Sequence, residues 1–170
     1  MSTALYTHDD CLGHVTPPGH PERPARLEAA LAALAGPRFA ALDRRAAPLA
    51  ERGDLLRGHP ESYVAEIEAS IPAQGTRALD ADTHVMSGSW AAALRAVGAA
   101  GAAVDAVLDG EAANAFCATR PPGHHAETET AMGFCLFGTV ALAAKRALEL
   151  HGLARVAVLD FDVHHGNGTQ

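Results

Sequence analysis

Two short segments carry most of the side chains able to do chemistry. The first, RPPGHHAE at positions 120–127, sets His124 and His125 side by side behind Pro121, Pro122 and Gly123. Proline restricts the backbone and glycine permits turns that other residues avoid, so such a loop can fix two imidazoles in place. Imidazole titrates near neutral pH, which suits a fixed pair to general acid–base work. On spacing alone, a surface loop with two solvated histidines reads at least as well. The second segment, DFDVHHGNG at 160–168, places Asp160, Asp162 and His164 at alternate positions. Along an extended chain alternate side chains share a face, so these three point one way and Phe161 and Val163 the other. Carboxylate and imidazole together suit Zn²⁺ and similar divalent ions. Asp162 and His164 can both reach one ion, and Asp160 can orient a neighbouring histidine.

Both segments follow short apolar runs, and the elements between them predict an α/β chain. Residues 113–119 (ANAFCAT) read as a buried strand. Residues 139–150 read as a helix that stops near His151-Gly152, and 155–161 (RVAVLDF) as a second buried strand. Strand, helix and strand make a βαβ unit with parallel neighbours and a right-handed crossover. Sites in open parallel sheets lie outside the carboxyl ends of the strands, where both polar segments fall. Upstream, the Pro/Gly/His-rich stretch 13–24 reads as a loop. Pro24 opens a helix with Leu27, Leu31 and Leu34 on one face, stopped by Gly36-Pro37. A short helix over 61–70 buries Tyr63, Val64 and Ile67, and a polar loop follows over 74–88. A long helix comes next, capped by Ser87 or Ser89, with a stripe of Trp90, Leu94, Val97, Gly101, Val104 and Leu108. Its alanines, Gly98 and Gly101 suggest close packing on a sheet, and Gly110 ends it.

The 170 residues suffice for one domain with a real core. Thirteen basic and twenty acidic residues give a net charge of −7, which argues against direct nucleic-acid binding and suits a cationic partner. Cys11, Cys117 and Cys135 fit neither a disulfide framework nor a zinc ribbon, so a reducing, cytoplasmic setting is expected. The N-terminus lacks the apolar core of a signal peptide, and no apolar run reaches the roughly 20 residues of a membrane span. Abundant alanine, and arginine far in excess of lysine, hint at a GC-rich bacterial source.

Taken together, RPPGHHA, GFCLF at 133–137 and DFDVHHGNGTQ at 160–170 resemble the histone deacetylase and acetylpolyamine amidohydrolase family, in order and spacing. GHPERPARL at 19–27, LLRGHPESYV at 55–64 and DTHVMSGSWAAALRAVGA from Asp82 onward extend the resemblance over essentially the whole chain. It implies a parallel-sheet, three-layer arginase/deacetylase-like fold, incomplete here, with 1–170 the N-terminal part of one catalytic domain cut after DFDVHHGNGTQ. It implies zinc-dependent hydrolysis of an acetyl amide, in an acetylated lysine peptide or an acetylated polyamine.

The resemblance also implies roles position by position. Asp162 and His164 match two of three protein zinc ligands. His125 matches the general base, and His124 its assisting neighbour. Asp160 matches the carboxylate bonded to the first histidine, beside a structural K⁺ site. Asn167 stands where the second histidine's partner sits, as in class II and bacterial members. Gly133 and Phe134 match the walls of the substrate tunnel, and Asp82 the rim position that grips substrate backbone. Gly138-Thr139 departs from the Asn common after GFCLF. The third metal ligand and a carbonyl-polarising tyrosine are expected downstream. Two rivals remain: an inactive fragment or pseudoenzyme that acts as a binding module, and an arginase-like dimanganese ureohydrolase. The second would want Asp-x-His-x-Asp, where this chain has Asp-x-Asp-x-His.

Overall fold

A computed structural model describes residues 2–170. Three parallel strands form its sheet: β1 (Thr3–Thr7) lies at the centre, flanked by β2 (Asp43–Ala46) and β5 (Asn114–Cys117). Residues on β1 alternate between two helical layers, as the period-2 geometry of a strand requires. Ala4 and Tyr6 pack with Ala99 of helix α4 (Ser89–Leu108), while Leu5 packs with Leu27 of α1 (Pro24–Leu34). A further core joins α2 (Arg52–Leu55), α3 (Glu61–Ser70), α4 and α5 (Thr139–Leu150) through Leu55, Tyr63, Val64, Ile67, Val97 and Leu142. Each large apolar side chain buried there contributes roughly 1.5–3 kcal/mol.

Helices α3 and α5 occupy the spans that their periodicity predicts. Pro24 is the first residue of α1, where a missing N–H costs nothing. Other expectations are corrected. Strands β1 and β2 have no counterpart in the sequence reading. The polar loop 74–88 contains an antiparallel hairpin, β3 (Thr76–Ala78) with β4 (His84–Met86). Helix α4 buries its small residues, Ala92, Ala93, Ala96 and Ala99, together with Val97, whereas Leu108 at its end is exposed. Neither serine caps it. Gly88 is the N-cap, and the Ser89 hydroxyl accepts the Met86 N–H at 2.9 Å and pairs with His14 Nδ1 at 2.8 Å.

The alanines of α4 pack on the sheet as expected, Ala99 against Ala4 and Tyr6, whereas its two glycines meet other neighbours. A Cβ on Gly98 would overlap the backbone of Pro48, in the segment after β2, and Gly101 faces Arg146 of α5. Helix α4 is also long and apolar enough to cross a membrane by length and composition, contrary to the sequence expectation. Here it is the central core helix, and mid-helix Arg95 reaches Asp10 and the Ala47 carbonyl.

Two expectations at the second half of the sheet also fail. Strand β5 is an edge strand, and Phe116 on it is half exposed, so it is not a buried strand. Residues 155–161 form no strand, and the expected βαβ unit is not made. A strand needs a neighbour to take its N–H and C=O groups. No strand among the described residues pairs with this stretch, and Leu159 and Phe161 are 88% and 95% exposed.

Candidate active site

The loop that carries the paired histidines leaves the end of β5 through Arg120. That side chain is buried and grips Glu22, also buried, with a second contact from Nη2 to Oε2 at 2.7 Å. Arg120 further donates to the carbonyls of Cys11 and His14, both at 2.9 Å. The start of the RPPGHHAE loop is thereby tied to the turn after β1 and to the GHPERP segment. Burial alone would raise the Glu22 carboxyl; hydrogen bonds from His14 and Arg120 outweigh it and hold the group down to about 2.

The two polar segments meet. His124 Nδ1 lies 2.9 Å from Asp160 Oδ2, and His125 Nδ1 lies 2.7 Å from Asn167 Oδ1. The backbone closes the same seam, since Gly168 N–H donates to the His124 carbonyl at 2.9 Å. A Cβ on Gly168 would overlap the backbone of Ala126. The two imidazole rings are 4.0 Å apart between centroids, and the His164 ring is 5.9 Å from that of His125.

These contacts settle the protonated nitrogens. Asn167 Nδ2 donates to Glu127 Oε1 at 2.8 Å, which leaves Oδ1 as the acceptor facing His125. His125 therefore donates from Nδ1, so that in the neutral ring Nε2 is the accepting nitrogen. Asp160 fixes His124 in the same way, with a full negative charge in place of a neutral amide. The sequence reading missed Glu127; its signal was a carboxylate two residues after the pair. The Asp160 carboxyl is held below its ordinary range, first by the His124 hydrogen bond and then by the Asp162 N–H.

Asp162 and His164 turn toward each other, with His164 Nδ1 3.0 Å from Asp162 Oδ1. The His164 N–H, followed by its side chain, holds the Asp162 carboxyl below its ordinary range. A carboxylate and an imidazole side by side are donor types that zinc takes. Among the described residues no group of three or more His, Cys, Asp or Glu side chains converges to hold a metal ion.

Gly133 and Phe134 form the adjoining wall. Gly133, at φ 56°, lies against the His125 ring, where an added Cβ would sit 2.6 Å from Cγ. Phe134 is in the left-handed region at φ 69°, and its ring meets the edge of His20 with centroids 4.8 Å apart. Asp82 is exposed beside this wall, and its carbonyl lies 2.9 Å from His20 Nε2. A chain of contacts thus links the sequence-predicted site residues, from Asp160, Asp162, His164 and Asn167 through the two histidines and Gly133 to Phe134, His20 and Asp82.

A family profile described as "Histone deacetylase domain" matches residues 20–170. The chain is 47% identical to "Histone deacetylase-like amidohydrolase" of Pseudomonas aeruginosa, over 93% of this chain and 42% of that protein. It is 38% identical to "Probable deacetylase" of Archaeoglobus fulgidus, over 100% of this chain and 47% of that protein. "Polyamine deacetylase HDAC10" of Mus musculus is 39% identical, over 100% of this chain and 27% of that protein. Among solved structures, the HDA15 HD domain superposes with a TM-score of 0.93 at 32% identity, covering 100% of this chain and 50% of that one. The α/β parallel sheet is that of a histone deacetylase domain, and the chain belongs to the histone deacetylase family. It spans about half the length or less of these curated relatives.

Proposed function

We propose that the protein carrying this chain hydrolyses an acetyl amide, with zinc held by Asp162, His164 and a third donor outside the described residues. The observation that carries this reading is the convergence of the tethered His124–His125 pair with Asp162 and His164. Zinc, when bound, supplies Lewis-acid polarisation of the acetyl carbonyl and makes water more acidic, toward a pKa of about 7. The side chains described here do the rest. Nε2 of His125 takes a proton from the attacking water as its oxygen bonds to the acetyl carbon. Asn167 holds Nδ1 of the same ring, so the accepting nitrogen keeps its direction. As the C–N bond breaks, the histidine pair returns a proton to the amine, and acetate and a free amine leave. Asp160 faces His124 with the charge that balances an imidazolium there. Gly133 and Phe134 form the wall of a narrow slot for the acyl-bearing arm, and Asp82 stands at its rim. A structural K⁺ near Asp160 belongs to the same reading.

The substrates this chemistry admits are acetyl-lysine peptides and acetylated polyamines. A cytoplasmic setting is supported by three free cysteines. We further propose that residues 1–170 are the N-terminal part of one catalytic domain, and that further polypeptide covers the exposed 155–163 stretch. A specific observation favours limited activity for the 170 residues by themselves: among the described residues no three donor side chains converge, and a catalytic zinc needs three protein donors.

The test is hydrolysis by the full-length protein of an acetyl-lysine peptide and of an N-acetylated polyamine, before and after metal chelation. Turnover that chelation abolishes and zinc restores is the expected result. Two bound manganese ions and release of urea from a guanidino substrate would favour the ureohydrolase instead.

A further inference from the structure

Phe134 is the non-glycine residue with positive φ among those described, and it follows Gly133, which lies against the His125 ring. Left-handed backbone is unfavourable for a bulky side chain and persists only where neighbouring structure imposes it. The imposing neighbour is identifiable. Phe134 N–H donates to Thr83 Oγ1 at 3.1 Å. Thr83 is completely buried although threonine is polar, and it is fixed from both of its backbone groups. Its N–H donates to Asp80 Oδ1 at 2.5 Å, and its carbonyl accepts the Leu79 N–H at 2.8 Å. The hydroxyl proton points at Asp82 Oδ1, 3.3 Å away. His20 closes the arrangement from the third side, with its ring against Phe134 and Nε2 at the Asp82 carbonyl.

We infer that Thr83 is a positioning residue for substrate binding: its hydroxyl holds Phe134 in the left-handed bend and links that wall to Asp82 at the rim. This rests on the deacetylase reading for its substrate, an acyl-bearing aliphatic arm. The hydrogen bond itself does not depend on that reading. Valine matches threonine in shape and removes the acceptor, whereas serine keeps it. The hydrogen bonds of Thr83 run to Asp80, Asp82, Leu79 and Phe134 and not to His124, His125, Asp162 or His164, so its loss acts on binding more than on the chemical step.

The experiment compares the full-length protein with Thr83→Val and Thr83→Ser, using ¹⁵N-phenylalanine labelling to follow amide exchange. In T83V the Phe134 amide exchanges roughly tenfold faster, the equivalent of one lost hydrogen bond, while the Phe39 and Phe137 amides keep their rates. KM for an acetyl-lysine peptide rises several-fold with kcat nearly unchanged. T83S keeps both values. Unchanged Phe134 exchange in T83V overturns the inference, as does an equal rise at all three phenylalanines, which would make Thr83 a general packing residue. Should the wild-type protein hydrolyse no acetyl amide, the deacetylase reading fails and the exchange rates alone decide the clamp.

Discussion

Glu22 shows how a single side chain supports the site without entering it. Its carboxylate is buried against Arg120 and His14, and it anchors the loop that begins four residues before His124. Its folded-state value of about 2 lies below the ordinary 4.5. A depressed carboxyl stabilises the fold fully above the unfolded value, and that stability drains away as pH falls from 4.5 toward 2. Glu22→Gln should flatten the pH dependence of urea unfolding in that window. By leaving Arg120 without a counter-charge, it should also cost about 3–5 kcal/mol at neutral pH. An unchanged pH profile would contradict the assignment. Burial likewise pushes the Cys135 thiol up to about 12 and Cys117 to about 11. A thiol reagent at pH 8 should leave both unmodified in the native protein and reach them on unfolding; rapid native labelling would count against the packing described.

At the scale of elements, what the sequence made legible was whatever sits in a local period. Tyr63, Val64 and Ile67 mark α3 because three- and four-residue spacing is a property of one helix. The paired histidines and DFDVHHGNG were legible because residue type carries the chemistry. Strand β1 was not, since a five-residue apolar strand at a chain terminus has no turn signals on both sides. The hairpin β3–β4 sits in a polar stretch whose β3 is wholly exposed, so no alternation betrays it. Residues 155–161 failed for the opposite reason. Their pattern is a strand's, but a strand is completed by a neighbour, and that information lies outside the segment. Thr83 and Glu127 were missed because their partners, Phe134 and Asn167, are 51 and 40 residues away. The close contact of α4 with the Pro48 segment gives a direct check. Gly98→Ala forces a methyl into that backbone and should destabilise the protein by about 1–3 kcal/mol, read as a lower Tm. A neutral or higher Tm would show that the helix is not seated as described.

The whole molecule has a finished half and an open one. Around β1 and α4 the core is closed on both faces of the sheet, whereas beyond β5 the stretch ending in Phe161 and Val163 turns large apolar side chains to solvent, 95% and 92% exposed. Large apolar side chains left in water in this way favour association. The 170-residue chain by itself should bind the dye ANS, self-associate as concentration rises, and show negligible turnover of an acetyl-lysine peptide. A monomeric, dye-silent chain with robust turnover would refute the proposal that further polypeptide completes the domain. The site lies on the seam between the two halves, and its proposed chemistry rests on one arrangement: a histidine held by Asn167 next to the carboxylate–imidazole pair proposed to hold the metal. The most direct measurement is therefore His125→Ala in the full-length protein, with bound zinc and acetyl-lysine hydrolysis determined on the same sample. Zinc should stay at the wild-type ratio while kcat falls by roughly 10²–10⁴; turnover within a few-fold of wild type would contradict the role of His125, and loss of the zinc would make it a ligand instead of a base.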